Sequence, residues 1–204
     1  MMSDSARVFI VDDDDAVRDA LAMLLDAAGY DAATFPSAED FLEVCSADTL
    51  GCIILDVNMP GMDGPMLQEE LTRRGLALPI IFLSGQGTIP VTVRTIKAGA
   101  IDFLIKPVDG SVLLARVQEA LAQCSMHKKQ ANVAQSAAAR LATLTERERE
   151  IMKLAVAGHT SKEIAQQLDI SYRTVEIHRA HVMQKTGASN TLELARIATL
   201  QTPS

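Results

Sequence analysis

A chain of 204 residues, 48% hydrophobic and without tryptophan, has room for one large domain or two small ones, each with its own apolar core. No apolar run approaches the ~18 residues of a membrane span, and the N-terminus lacks a basic-then-apolar leader pattern. The net charge of −7 hides an asymmetry: residues 1–124 hold 19 acidic and 8 basic side chains, a balance of −11, while residues 125–204 hold 7 and 11, a balance of +4. An acidic half joined to a basic one suggests two modules, the second with a polyanionic partner. Three scattered cysteines (Cys45, Cys52, Cys124) form no CxxC pair, which argues against a disulfide framework or a zinc site and fits buried thiols in a reducing cytosol.

Arg7 to Val11 predicts a first strand, halted by the four aspartates Asp12 to Asp15. Ala16 to Ala28 has helical spacing through Val17, Leu21, Leu24 and Leu25, with Gly29 at C′. Tyr30 to Phe35 is a short second strand, and Ser37 caps a helix to about Cys45. The apolar run Cys52 to Leu55 breaks off at Asp56, and a Pro/Gly-rich turn leads to a helix from about Pro65 to Arg73. Pro79 to Leu83 predicts a fourth strand ending in Ser84-Gly85, before a helix from about Pro90 to Ala98. Ala100 to Ile105 is the fifth, ending at Lys106-Pro107, and Asp109 or Ser111 caps a helix covering at least Val112 to Leu121. Strands alternating with helices place this half in the α/β class, as a doubly wound, five-stranded parallel sheet in the order 2-1-3-4-5.

In such a sheet, ligands bind beyond the carboxyl ends of the strands. Those ends carry Asp12 and Asp13, Asp56, Ser84 and Lys106. Read singly, each is a helix cap, a turn residue or a surface charge; Asp14 and Asp15 are read as caps. Together they make a pocket. Three carboxylates that close cannot all ionise unaided, and Mg²⁺ is the natural compensation. Asp56 then has an oxygen available as a nucleophile toward a phosphoryl group, whose charge Lys106 and Ser84 can hold. Gly85-Gln86-Gly87-Thr88-Ile89-Pro90 begins like a dinucleotide fingerprint, but Pro90 replaces its third glycine and it follows the fourth strand, which argues against nucleotide binding.

Val11-Asp12-Asp13, Leu55-Asp56 through Met59-Pro60 to Gly64, Ser84-Gly85 and Lys106-Pro107 closely resemble the receiver domain of two-component response regulators. The resemblance covers roughly residues 6–122. It implies that Asp56 accepts phosphate from a histidine kinase, with Mg²⁺ held by Asp12, Asp13, Asp56 and the carbonyl of Asn58. It makes Ser84 and Phe103 the switch pair and Lys106-Pro107 a cis bond. Phe103 alone reads as core, in phase with Ile101 and Ile105 on one side of its strand. Residues 1–122 are thus assigned to a receiver domain.

Residues 123–143 are Ala/Gln-rich without Pro or Gly, and predict a helical linker continuing the last receiver helix, weakest at Ser136 to Ala139. Residues 144–204 form the second module. Thr145 to Glu148 is a capping box opening a helix that stops at Gly158, Thr160 or Ser161 caps a short helix, and Ser171 caps a longer one from Tyr172 to about Lys185. Ser189 or Asn190 caps the last. Two helices joined by a tight turn in a basic all-α unit of four helices fit a helix-turn-helix DNA reader. On the longer helix Val175, His178 and Val182 face the core, leaving Arg173, Glu176, Ile177, Ala180 and Gln184 outward with Arg179 beside them. Lys162, Arg173, Arg179 and Lys185 are the expected phosphate contacts, while Glu176, Ile177 and Ala180 are placed to meet base edges.

Leu144-Thr145 with Arg147-Glu148, Ser161 to Ala165, and Ser171 through Thr174-Val175 to His178 and Lys185 strongly resemble the LuxR-type helix-turn-helix, which adds Thr174 to the DNA-binding set. Together the halves look like a response regulator of the FixJ/NarL class, on the FixJ side. The likeness implies a cytoplasmic, membrane-free transcription regulator, not an enzyme, that binds double-stranded DNA as a homodimer when phosphorylated. Glu176 and Ala180 stand where the NarL branch often carries lysines, so its site preference does not transfer. A rival from another class is a phosphohydrolase using an aspartyl-phosphate; Asn58, two residues after Asp56, deprives it of a general acid. A third is a protein-binding adaptor.

Overall fold

The computed structural model describes residues 6–85 and 89–199 and divides into two compact units, residues 1–127 and 128–204. In the first, β1 (Arg7–Val11), α1 (Asp15–Ala27), β2 (Ala32–Phe35), α2 (Ala38–Val44), β3 (Gly51–Asp56), α3 (Gly64–Arg73), β4 (Ile80–Ser84), α4 (Ile89–Lys97) and β5 (Asp102–Ile105) follow in order. The strands form one parallel sheet in the order β2-β1-β3-β4-β5.

Period-two alternation accounts for the two layers of core. Phe9 and Val11, Ile53 and Leu55, and Ile80 and Phe82 pack on one face with Phe41 of α2 and Leu67 and Leu71 of α3. Val8 and Ile10, Cys52 and Ile54, and Ile81 and Leu83 pack on the other with Leu21 and Leu25 of α1 and Leu113 and Val117 of the fifth helix. Strands covered on both faces can be apolar throughout, so each stops where the chemistry begins. Phe103 packs in the first layer and stacks on Phe82 with ring centroids 6.2 Å apart. Ile101 departs from the expected phase: it precedes β5, escapes the alternation, and packs in the opposite layer.

The fifth helix, α5, runs from Gly110 to Ala142 and contributes to both units. The expected weak point at Ser136 to Ala139 is helical, and the stretch is more than a spacer. Ala137, Leu141 and Leu144, at i, i+4 and i+7, are buried in the second unit beside Met152, Val182, Leu194 and Ile197.

That unit continues with α6 (Glu146–Val156), α7 (Ser161–Gln167), α8 (Tyr172–Thr186) and α9 (Thr191–Thr199). Thr145 and Thr160 both close capping boxes, with Glu148 and Glu163, and Ser171 caps α8. Gly187 ends α8 in the left-handed conformation. The turn between α7 and α8 passes through Asp169 at φ 51°, and Ile151, Ala155, Ile164, Ala165 and Val175 close a small core around this helix pair.

Candidate functional site: an acidic pocket and a helix-turn-helix face

At the carboxyl ends of adjacent strands β1 and β3, Asp12 and Asp56 are both buried, and one ammonium joins them. Lys106 Nζ lies 2.5 Å from Asp12 Oδ2 and 2.6 Å from Asp56 Oδ1. The second oxygen of each acid is held by its own loop. Asp12 Oδ1 accepts the Asp14 N–H at 3.0 Å, and Asp56 Oδ2 accepts the Asn58 N–H at 2.6 Å. Asp13 is exposed at the same strand end, Asp14 is the α1 N-cap, and Ser84 is fully buried at the end of β4. The Ser84 carbonyl accepts the Lys106 N–H at 2.8 Å, and the Lys106–Pro107 peptide is cis.

The electrostatics are those of a poised anion site. Burial pushes the Asp56 carboxyl above the ordinary carboxylate range, outweighing the hydrogen bonds from Lys106 and Asn58 that pull it down. Burial also works against the Lys106 charge, but its hydrogen bonds to Asp12 and Asp56 prevail and hold its pKa above the ordinary value. The carboxylates of Asp12, Asp13 and Asp56 supply hard oxygen donors of the kind Mg²⁺ takes, and among the described residues Asp12 and Asp56 share the one ammonium of Lys106.

Arg18 is a member of this site that motif reading missed. Its guanidinium donates to the Asp12 carbonyl at 2.5 Å and pairs with Asp15, fixing the loop that carries the acids. The signal was the i, i+3 spacing of Asp15 and Arg18 on α1. Gly64 is the other silent contributor. A Cβ there would sit 2.3 Å from the Asp56 carbonyl oxygen and 3.0 Å from the Phe82 ring. Gly64→Ala is therefore expected to destabilise the first unit by about 1–3 kcal/mol, read as a lower urea midpoint.

In the second unit Val175 and Val182 are buried and His178 half-buried, while Arg173, Glu176, Ile177 and Ala180 are exposed on α8 and Lys162 on α7. Thr174 is half-buried, its backbone N–H donating to Ser171 Oγ; Arg179 is half-buried too. Lys185, an expected phosphate contact, is exposed near the end of α8 and also makes an ion pair within the unit. Its ammonium is 2.7 Å from Glu148 Oε2, which is buried on α6. Arg147, read only as part of a motif, donates to the Leu168 carbonyl at the end of α7. The glycine-rich stretch after β4 falls largely on residues 86–88, outside the described residues.

Fold and pocket together define a two-module protein: an α/β unit with an acidic strand-end pocket, and an all-α unit built on a helix-turn-helix. Comparison with known proteins agrees. The response regulator receiver domain model matches residues 8–118, and the model of bacterial regulatory proteins of the luxR family matches residues 142–198. The transcriptional regulatory protein FixJ of Bradyrhizobium diazoefficiens is 40% identical over 197 residues, 97% of this chain and 96% of the relative. TdiR of Thauera aromatica is 45% identical over 190 residues, 93% of this chain and 84% of the relative. Among solved structures, the response regulator StyR superposes with a TM-score of 0.87 at 38% identity, over 95% of this chain and 98% of that one. The chain belongs to the response regulators of two-component systems, with a receiver domain followed by a LuxR-type DNA-binding domain.

Proposed function

We propose that Asp56 is the phosphoacceptor of this regulator and that α8 reads DNA under its control. The observation that carries the first half is the single Lys106 ammonium shared by Asp12 and Asp56 at the ends of neighbouring strands. A carboxylate oxygen of Asp56 attacks the phosphorus of a kinase phosphohistidine, the P–N bond breaks, and imidazole leaves. Lys106 and the Ser84 hydroxyl receive the phosphoryl oxygens, and Asn58 N–H steadies the carboxylate that attacks. Asp12, Asp13, Asp56 and the carbonyl of Asn58 hold Mg²⁺, which when bound neutralises charge on the transferring group. Removing divalent metal with EDTA is expected to stop labelling by acetyl phosphate, and restoring Mg²⁺ to recover it; metal-independent labelling would overturn the three-carboxylate site.

The output follows from the switch pair. Ser84 is drawn toward the phosphoryl group and Phe103 follows, which remodels the face of α4 and β5. That face already exposes Val93, Ile96 and Ile105, apolar area that a second phosphorylated receiver would cover. Shifting a population from mostly off to mostly on requires a preference of roughly 5 kcal/mol. The homodimer then presents two α8 helices to half-sites about 10 bp apart. Lys162 and Arg173 hold phosphates with Arg179 beside them, and Thr174, Glu176, Ile177 and Ala180 lie toward the duplex. Residues 1–122 act as receiver and 144–204 as reader, and 123–143 are a helical link that lends Ala137 and Leu141 to the second core. No described helix is long and apolar enough to cross a membrane, and we place the protein in the cytoplasm. Arg173→Ala is expected to weaken DNA binding about evenly across sequences and to lower the salt slope by about one; an unchanged slope removes Arg173 from the contacts.

A further inference from the structure

The second unit carries a cluster that neither phosphorylation nor DNA contact uses. His178 and His181 stand one turn apart on α8, opposite Glu148 of α6. One ligand atom from each of the three lies within 4.8 Å of the other two. Glu148 Oε1 and His181 Nδ1 are 3.9 Å apart. That is too long for a hydrogen bond. It is close to the roughly 3.4 Å between two ligands on one tetrahedral ion with bonds of about 2.0–2.1 Å.

The partners of each group sharpen the reading. Glu148 Oε2 is taken by Lys185 Nζ at 2.7 Å and by the Thr145 N–H at 2.8 Å, so Oε1 is the oxygen turned to the histidines. His178 Nδ1 is buried and has no hydrogen-bond partner among the described residues. A polar atom buried in that way is costly unless something fills the place of its partner. His181 is half exposed, which leaves a route for an ion and for a water completing its coordination.

We propose that Glu148, His178 and His181 form a binding site for a borderline divalent transition metal, with zinc as its representative. Two imidazoles and one carboxylate select zinc, nickel or copper over magnesium or calcium. Lys185 stays on the far oxygen of Glu148, orienting the carboxylate as outer-shell partners do at metal sites while its charge moderates affinity. No cysteine takes part, so the missing CxxC pattern does not bear on it. Bound metal ties α6 to α8, bracing the helix that carries Arg173 and Ile177.

The test is a zinc titration of the full-length protein by calorimetry with millimolar Mg²⁺ present to occupy the receiver pocket, alongside cobalt(II) as a visible-spectrum probe of tetrahedral nitrogen ligation. One equivalent is expected to bind, with tetrahedral cobalt bands. His181→Ala, at a half-exposed position where folding is preserved, is expected to weaken zinc binding at least tenfold and remove those bands, whereas Asp12→Asn with Asp13→Asn leaves both unchanged. Zinc binding equal in wild type and His181→Ala, or lost only in the receiver variant, overturns the site. Neither outcome touches the assignment of Asp56, which is read by phosphoryl labelling.

Discussion

Asp56→Asn is expected to abolish labelling by acetyl phosphate while leaving the fold as stable as before or more so. The loss is chemical: an amide oxygen is not a competent nucleophile toward phosphorus, and among the described residues Asp56 is the carboxylate placed between Lys106 and the Asn58 N–H. The retained stability follows from the sign of the titration. Burial raises the Asp56 pKa, so the folded state binds this proton more tightly than the unfolded chain does. Such a group favours folding at low pH, and that contribution is lost as pH rises from the ordinary carboxylate value through the raised one. At neutral pH the wild-type protein bears the cost of a desolvated carboxylate; asparagine removes it and gives up one of the two hydrogen bonds, since its single amide oxygen can accept from Lys106 or from the Asn58 N–H but not from both. Thermal denaturation at pH 7 is the check. Labelling that survives moves the acceptor to Asp12 or Asp13; labelling lost together with a lower melting temperature means that the pocket collapsed instead.

That trade of stability for reactivity is also why the pocket was legible in the chain. Sheet strands buried on both faces must be apolar, so a polar residue at the end of such a run is conspicuous, and Asp12, Asp56, Ser84 and Lys106 each stand there. Caps were legible for a local reason: Thr145 with Glu148 and Ser171 with Thr174 bond over three residues. What escaped depends on packing between distant segments. Lys185 reads as a phosphate contact near the end of α8, and its tie to Glu148, which lies 37 residues earlier, forms only when α6 packs on α8. The role of Ala137 and Leu141 was obscured because alanine is equally at home on an exposed helix and in a core. Ile101 was misplaced because the strand begins at Asp102, two residues later than Ala100, so the period-two alternation does not reach it.

The largest loss of stability is expected from Glu148→Ala. This side chain is almost fully buried, at 3% exposure, yet it carries a charge and serves two elements. It accepts the Thr145 N–H and so closes the α6 capping box, and it accepts Lys185 from the last turn of α8. Alanine removes the reciprocal half of the cap, leaves the Thr145 N–H without its acceptor and the Lys185 ammonium with only a long contact to the Thr143 carbonyl at 3.4 Å, and opens a small void. Together these cost about 2–4 kcal/mol. A unit of this size is stable by only about 4–11 kcal/mol, so much of its margin goes. The hydrogen bond from Lys185, and then that from the Thr145 N–H, hold the Glu148 pKa down to about 2. A depressed acid contributes its full stabilisation above the ordinary value of 4.5, and loses it as pH falls from there toward about 2. Hydrogen exchange of α6 and α8 amides across that window should show wild-type protection falling with pH, with Glu148→Gln weaker at neutral pH but flatter below 4.5. If the glutamine variant instead loses protection in parallel with wild type, the acid sensitivity of this unit resides in other carboxylates, and Glu148 serves as a cap alone.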